Sequence, residues 1–266
     1  MDKLSYNIKK YSDCEIVVNT SPVGMYPNTG VSPIDISIFD NCCGVFDLIY
    51  NPSKTQIMLD AEKKDIFSIN GLKMLVAQAK KAAEIFTGDN IDDSCIDKIT
   101  AHIENETLNI TLIGMPGSGK TTIGKILAKK LDRQFIDTDK EITNSGTDIS
   151  SVIVNEGEYA FREIEHCVSK NILNLSGKVI ATGGGIVTYP KNFDILKQNS
   201  IIFYIKRDVE NLVTDGRPLS NGGIEKLKAL ESQRIEKYKS ICDYEISNNS
   251  DIDDAINQII NILKQR

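Results

Sequence analysis

The feature that most constrains the fold of this 266-residue chain is a glycine-rich octapeptide, GMPGSGKT, at residues 114–121. It fits the pattern G-x-x-x-x-G-K-[ST], follows the apolar segment NITLI and precedes the helical segment TTIGKILAKKL. In such a loop, successive backbone N–H groups converge on phosphates at the amino end of a helix. A glycine-rich turn that merely joins a strand to a helix is disfavoured, because both flanking elements are present. The sequence therefore predicts a nucleotide-binding α/β domain.

Side chains of this loop have distinct predicted roles. Lys120 would reach the β- and γ-phosphates of a nucleotide, and the Thr121 hydroxyl would be a ligand for Mg²⁺. The predicted nucleotide-binding residues of the loop and of the helix that follows are Gly117, Ser118, Gly119, Lys120, Thr121 and Thr122.

Two carboxylates follow in the segment QFIDTD, residues 134–139. Because Asp137 and Asp139 are two residues apart, they point to the same side if the segment is extended. Asp137 would then hold the hydrated Mg²⁺, and Asp139 would accept a hydrogen bond, and a proton, from an attacking hydroxyl. The residues alone leave open an exposed acidic turn that caps the next helix.

Apolar strands alternate with helical segments along the chain, which predicts an α/β fold with parallel sheets covered by helices. The predicted strands are residues 15–19, 44–49, 109–113, 178–181 and 201–205. Between Thr87 and Leu108 the chain becomes acidic and weakly periodic. We therefore predict a linker at 91–108, with room for a short helix, between domains at 1–90 and 109–266.

Composition argues against several classes of function. The formal net charge of -6 argues against binding to duplex nucleic acid, since such proteins usually present a basic face to phosphates. The six cysteines form no C-x-x-C pair, which indicates reduced thiols. No segment has the roughly 18 apolar residues of a membrane span, and the polar amino terminus does not resemble a signal peptide. We expect a cytoplasmic protein that binds neither membranes nor nucleic acids, with a monomer as the simplest assembly.

Further motifs follow the phosphate loop and the DTD segment in a fixed order: GEYAFREIE at 157–165, ATGGG at 181–185 and RPL at 217–219. In order and spacing, this succession resembles the shikimate kinase family over essentially all of residues 109–266. The resemblance implies a P-loop kinase that uses ATP and Mg²⁺ to phosphorylate a shikimate hydroxyl. The products would be shikimate 3-phosphate and ADP, within the pathway to chorismate and aromatic amino acids.

The same resemblance implies how the substrate is held. Arg162 would grip the shikimate carboxylate, with Glu165 as its acidic partner three residues further along one helix face. Arg234 would be a second clamp on that carboxylate, and two arginines offer a bidentate geometry that lysine does not. Asp139 and Gly184 would contact the substrate hydroxyls. The competing interpretation is that Arg162 and Glu165 form a surface ion pair and Arg234 is an ordinary helix charge.

Arg217 resembles the lid arginine that closes over ATP, and with Lys120 and Asp139 it completes the predicted catalytic set. The family lid usually carries another arginine several residues before R-P-L, whereas residues 207–217 here read RDVENLVTDGR. This lid is short and acidic. A missing cation at the phosphates would remove stabilisation of the transition state, so the sequence supports substrate binding more firmly than full turnover.

Residues 1–90 resemble the C-terminal end of shikimate dehydrogenase, through NTSPVGM at 19–25, DLIYNP at 47–52, GLKMLVAQA at 71–79 and TG at 87–88. The resemblance implies contacts with shikimate by Gln78, with Tyr50 nearby, and with a nicotinamide by Met25, Gly71 and Met74. The sequence contains no G-x-G-x-x-G turn to seat a pyrophosphate. We therefore expect no shikimate-dependent reduction of NADP by this chain. The segment would be a relic of a fused protein, or would pair with a separately encoded dehydrogenase fragment.

Two other functions stay open at this point. One is a different small-molecule P-loop kinase, acting for example on gluconate or a nucleoside monophosphate. The other is a weakly catalytic scaffold, in which the phosphate loop binds nucleotide and the first 90 residues dock a partner.

Overall fold

The protein is represented by a computed structural model that describes residues 8–212 and 223–266. The chain divides into two compact units, Met1–Glu106 and Thr107–Arg266. The division falls at the end of a 14-residue helix, Ser94–Thr107, so the stretch predicted as a linker is mostly helical. Its helical character follows from apolar residues at spacings of three and four, Ile96, Ile99 and Ile103, and from Asp92, which accepts the Ser94 N–H at 2.8 Å near its amino end.

The first unit contains a three-stranded parallel sheet in the order β1-β2-β3. Its strands are β1 (Ile16–Asn19), β2 (Gly44–Asp47) and β3 (Phe67–Ile69). Its helices are α1 (Gln56–Glu62), α2 (Leu72–Thr87) and α3 (Ser94–Thr107). One face of the sheet packs on α1 through a small hydrophobic cluster that includes Val45, Ile57 and Met58.

The other face of this sheet is exposed and apolar. The pairing register places Ile16 and Val18 of β1 beside Gly44 and Phe46 of β2, on the face opposite Val45. All three large side chains are exposed, and Phe67 on β3, which contacts Phe46 edge to face, is 61% exposed. Parallel sheets are usually covered on both faces, so this unit presents an unusually bare surface.

The second unit contains a five-stranded parallel sheet in the order β5-β6-β4-β7-β8. Its strands are β4 (Asn109–Ile113), β5 (Phe135–Asp137), β6 (Val179–Ala181), β7 (Ser200–Lys206) and β8 (Tyr244–Ser247). Its helices are α4 (Lys120–Lys130), α5 (Thr138–Asn144), α6 (Ile149–Leu173), α7 (Lys191–Gln198), α8 (Gly223–Ile241) and α9 (Ile252–Gln265). Gly157 interrupts α6 with φ 88° and ψ 166°, so that element is two helices joined at a kink.

Helices cover both faces of this sheet. Along β7, Ile201, Phe203 and Ile205 belong to one hydrophobic cluster, whereas Ile202 and Tyr204 belong to the other. This alternation explains why β7 reads as a nearly continuous apolar run rather than an alternating one. The parallel arrangement also brings the carboxyl ends of all five strands to one edge, where ligands of such sheets bind.

The predicted α/β fold is confirmed, and each of the five predicted strands is present with ends displaced by at most two residues. Strands β3, β5 and β8 are additional to these five. No helix formed by residues 8–212 or 223–266 has the length and apolar character that a membrane crossing requires.

Candidate active site

The phosphate loop joins the carboxyl end of β4 to the first turn of α4. Gly114, Gly117 and Gly119 all have positive φ, at 147°, 84° and 98°. A Cβ at Gly114 would lie 2.5 Å from the carbonyl oxygen of Ile205, and one at Gly119 would lie 2.5 Å from the side-chain nitrogen of Asn248. Glycine is therefore required here both by the backbone angles and by the close approach of neighbouring strands.

Lys120 lies buried against this loop. Its ammonium donates hydrogen bonds to the carbonyl oxygens of Gly114 at 2.9 Å and Met115 at 2.8 Å. The Ser118 hydroxyl is also buried, and none of the described residues forms a hydrogen bond with it. The loop thus holds a cation and an available hydroxyl where its backbone N–H groups would meet an anion.

The Thr121 hydroxyl donates a hydrogen bond to Oδ2 of Asp137 at 2.8 Å. One residue comes from the first turn of α4 and the other from the end of β5, so the sheet topology brings them together. A hydroxyl and a carboxylate oxygen side by side are ligands of the kind that Mg²⁺ uses together with phosphates and water.

Asp137 and Asp139 do not lie side by side on an extended segment, so that part of the sequence interpretation is wrong. The strand ends at Asp137, whose side chain caps α5 by accepting the Lys140 N–H at 3.4 Å. Asp139 consequently lies in the first turn of a helix. The capping alternative was correct for Asp137, because a carboxylate at this position satisfies a free N–H of the helix.

Asp139 nevertheless faces the glycine-rich segment that follows β6, residues 183–185, which we call the glycine segment. Its Oδ1 lies 2.5 Å, and Oε1 of Glu165 lies 2.7 Å, from the point that a Cβ of Gly183 would occupy. The Gly183 N–H donates to the Thr138 hydroxyl at 3.0 Å, which fixes α5 against this segment. The carboxylates of Asp139 and Glu165 therefore both lie against Gly183, and they leave no room for a side chain at that position.

Arg162, on the second half of α6, is 5% exposed, which excludes an ordinary surface ion pair. Its Nη1 donates to Glu165 Oε2 at 2.7 Å and its Nη2 donates to Glu158 Oε1 at 2.7 Å. Its Nε is buried and has no hydrogen-bond partner among residues 8–212 and 223–266. A Cβ at Gly185 would collide with the guanidinium, so the glycine segment directly borders this arginine.

Glu165 is 1% exposed. Burial raises the pKa of this carboxyl, and the attraction of Arg162 offsets that effect only in part; the negative charge of Asp139 acts in the same direction as burial. The positive charge of Arg162 offsets part of the free-energy cost of burying the Glu165 carboxylate.

Arg234, on α8, is 4% exposed and donates from Nη1 to the carbonyl oxygen of Gly184 at 3.1 Å. The Tyr238 hydroxyl, one helical turn further on, donates to the same oxygen, and the Tyr238 ring stacks on Tyr204 with centroids 4.9 Å apart. The Nε of Arg234 is also buried and lacks a hydrogen-bond partner in the part of the chain that the structure describes. Both buried arginines therefore keep a free donor beside the same glycine segment.

The glycine segment also contacts the phosphate loop. A Cβ at Gly184 would lie 2.6 Å from the Pro116 side chain and 2.9 Å from the Pro116 backbone nitrogen. We call Arg162 and Arg234, with the carboxylates of Asp139, Glu158 and Glu165, the arginine cluster. Little more than Gly184 separates this cluster from the phosphate loop.

Comparison with known proteins identifies the family. The family model "Shikimate kinase" matches residues 116–264. The chain belongs to the shikimate kinase family. A shikimate kinase from Clostridium botulinum (strain Eklund 17B / Type B) is 40% identical over 158 residues, which are 58% of this chain and 96% of the relative.

Solved structures agree with this assignment. A shikimate kinase from Acinetobacter baumannii in complex with shikimate is 33% identical, with a TM-score of 0.58, and the match covers 62% of this chain and 97% of that one.

The N-terminal region resembles shikimate dehydrogenase structures: shikimate dehydrogenase 1 from Peptoclostridium difficile is 40% identical over 37% of this chain and 36% of that one, with a TM-score of 0.34.

Two of the residues predicted from the sequence stay predictions. Arg217 lies outside the described residues, and Thr122 is exposed in the first turn of α4, next to Thr121. The dehydrogenase-like residues belong to the first unit, where Gly71 is buried against the backbone of Leu48 and the others are exposed: Met25, Tyr50, Met74 and Gln78.

Sequence reasoning missed several residues of the site. Glu158 and Tyr238 each lie one helical turn from a predicted arginine, so helical spacing could have identified both. Asn248 donates to the Ser118 carbonyl at 2.8 Å from 130 residues away, and no local signal marks that contact.

Proposed function

We propose that the second unit, residues 107–266, transfers the γ-phosphoryl group of ATP to a hydroxyl of shikimate, giving shikimate 3-phosphate and ADP. The reaction belongs to the biosynthesis of chorismate and aromatic amino acids. The observation that carries this proposal is the pair of buried arginines, Arg162 and Arg234, each with an unpaired Nε beside the glycines that border the phosphate loop. Guanidinium groups in such a position suit a planar carboxylate on the substrate.

The residues of this chain have separate tasks in the proposed reaction. Backbone N–H groups of the loop and the Lys120 ammonium bind the phosphates and offset the charge that develops during transfer. Arg162 and Arg234 fix the substrate carboxylate, which directs its hydroxyls toward Gly184 and Asp139. Asp139 accepts the proton of the attacking hydroxyl. Catalysis is then mainly a matter of positioning and charge.

Magnesium fits this site through Thr121 and Asp137. Among residues 8–212 and 223–266, no group of three or more His, Cys, Asp or Glu side chains could hold a metal ion. Mg²⁺ in nucleotide sites is commonly held by one or two side chains, with phosphates and water completing the coordination, so this hydroxyl and carboxylate suffice. When bound, the ion would neutralise part of the phosphate charge.

Arg217 retains its proposed role as the lid arginine over ATP, and it lies in the stretch 213–222, which is outside the described residues. The proposal is for a monomer, and the described residues of the site all belong to the second unit. A cytoplasmic location is supported by six free cysteines.

The assignment is tested by measuring ADP release with and without shikimate. We expect release to depend on shikimate, and we expect gluconate and nucleoside monophosphates to give no comparable rate. ADP release that one of these other acceptors stimulates would identify a different small-molecule kinase. Nucleotide binding without stimulated release by any acceptor would favour the scaffold.

We further propose that the second unit works independently of the first. The phosphate loop, the carboxylates and the arginine cluster all lie after residue 107, and a unit of 160 residues is in the usual range for a domain. A protein lacking residues 1–106 should keep kcat and both KM values within about twofold of the full chain. Loss of activity in a truncated protein that remains folded by circular dichroism would show that the units are interdependent.

The first unit has a second candidate function, which is to bind a separately encoded polypeptide that carries the rest of a dehydrogenase fold. The bare apolar face formed by Ile16, Val18, Phe46 and Phe67 supports this proposal. A fragment of that kind should co-elute with the chain, and Phe67→Glu should prevent it. Val154→Glu, at an exposed position in the second unit, is the matched control. Equal co-elution of both variants would reject the sheet face as the binding surface.

A further inference from the structure

Arg162 holds two carboxylates that differ in their surroundings. Glu165 and Glu158 both lie 2.7 Å from its terminal nitrogens, but the side chain of Glu165 is 1% exposed and that of Glu158 is 54% exposed. Glu165 is enclosed by Asp139 and Gly183, whereas Glu158 lies at the solvent side of the cluster. Water can solvate the half-exposed carboxylate of Glu158 when it leaves, and Arg162 keeps the buried carboxylate of Glu165, so the contact with Glu158 is broken at lower cost than the contact with Glu165.

The geometry of the guanidinium shows which edge is left for a ligand. A carboxylate binds an arginine most strongly through two parallel N–H donors, and Nε and Nη2 form one such edge. Nη1 is taken by the buried Glu165. Among the described residues the buried Nε has no partner, and Glu158 accepts one of the two N–H groups of Nη2. A ligand carboxylate on the Nε and Nη2 edge would share Nη2 with Glu158, and the repulsion between the two carboxylates favours the replacement of Glu158.

The backbone before Glu158 allows such a movement. Gly157 has φ 88° and ψ 166° at the kink between the two halves of α6, a conformation that other residues rarely adopt. A Cβ built at Gly157 would meet no atom within 4 Å, so there is free space around this position. Glu158 is thus the first residue after a kink with open space beside it, and its side chain is exposed.

The balance of charges in the arginine cluster also favours the displacement of Glu158 by a ligand carboxylate. The cluster contains the guanidinium groups of Arg162 and Arg234 and the carboxylates of Asp139, Glu158 and Glu165. A ligand carboxylate added without any displacement would place four negative groups around two positive ones, and like charges at this distance are costly. Release of Glu158 into solvent removes one of them.

We propose that Glu158 determines the affinity and the charge selectivity of the substrate site by competing with the ligand carboxylate for Arg162. A neutral ligand has no group that replaces a carboxylate on a guanidinium, so Glu158 stays in place and the ligand gains nothing from Arg162. This inference rests on the proposed function, because shikimate is the carboxylate that would displace Glu158.

The test is Glu158→Gln, with Glu156→Gln as the matched control. Glu156 is also exposed on α6, on the other side of Gly157. Calorimetric titration with shikimate should show binding about two- to fivefold tighter for E158Q, the range expected for release of an exposed ion pair. Affinity for an analogue with a hydroxymethyl group in place of the carboxylate should be unchanged. E156Q should match the wild-type protein with both ligands.

Other results would overturn the proposal. Weaker binding of shikimate by E158Q would show that Glu158 supports Arg162 rather than competes with the substrate. Equal binding, or an equal gain for the neutral analogue, would show that Glu158 does not occupy the carboxylate position. If the wild-type protein binds no shikimate at all, the proposed function itself fails, and this inference fails with it.

Discussion

Replacing Lys120 by alanine is expected to lower kcat for ATP and shikimate by about a hundredfold or more. The ammonium is buried and held at the loop by two carbonyl oxygens, so its charge is already in position before the substrates bind. Removing one preorganised contact to charge that develops in the transition state typically costs a factor of this size. Steady-state rates of ADP release, with both substrates saturating, measure the effect.

Two controls separate catalysis from folding. Lys125→Ala removes an exposed lysine from the same helix and should leave kcat within about twofold, since surface substitutions have small effects. Lys120→Met keeps the apolar stem over the loop while removing the charge, and should behave like the alanine variant. Normal turnover by either Lys120 variant would reject the assignment of the phosphate loop.

Features fixed by local chemistry could be predicted from the sequence. The phosphate loop requires glycines at definite positions between a strand and a helix, and both its glycines and its flanks are visible in the chain. The buried central strands β4 and β7 are marked by continuous apolar runs. The short strands β3 and β8 lack such a run, so their own residues do not mark them as strands. Their pairing is decided by the neighbouring strand.

Features that the local sequence leaves ambiguous, and features fixed by distant contacts, could not be predicted. Whether the segment after β5 continues as a strand or turns into a helix depends on Asp137 capping α5, and a DTD sequence is compatible with both. The convergence of Arg234 and Tyr238 on the Gly184 carbonyl joins residues that are 50 and 54 positions apart. Helical spacing relates the first two residues to each other but does not show which loop they meet.

Arg162→Lys is expected to raise KM for shikimate by about tenfold or more while KM for ATP changes little. A lysine at this position keeps one positive charge but loses the planar fork that binds a carboxylate through two N–H groups. Its single ammonium would have to serve the buried Glu165 and the ligand together, and Glu165 is the nearer and better enclosed partner. The substrate carboxylate would then lose a bidentate contact, which is consistent with a loss of this order.

The matched control is Arg133→Lys, which makes the same exchange elsewhere in the second unit. Arg133 donates to the Leu108 carbonyl at 2.9 Å and is distant in sequence from the arginine cluster, so its replacement should leave both KM values unchanged. Equal losses of affinity for ATP and shikimate in R162K would indicate a general disturbance of the fold, because the proposed contacts of the two ligands involve different residues. Unchanged KM for shikimate would mean that Arg162 serves only to neutralise Glu165, and the substrate carboxylate would have to be sought beside Arg234 alone.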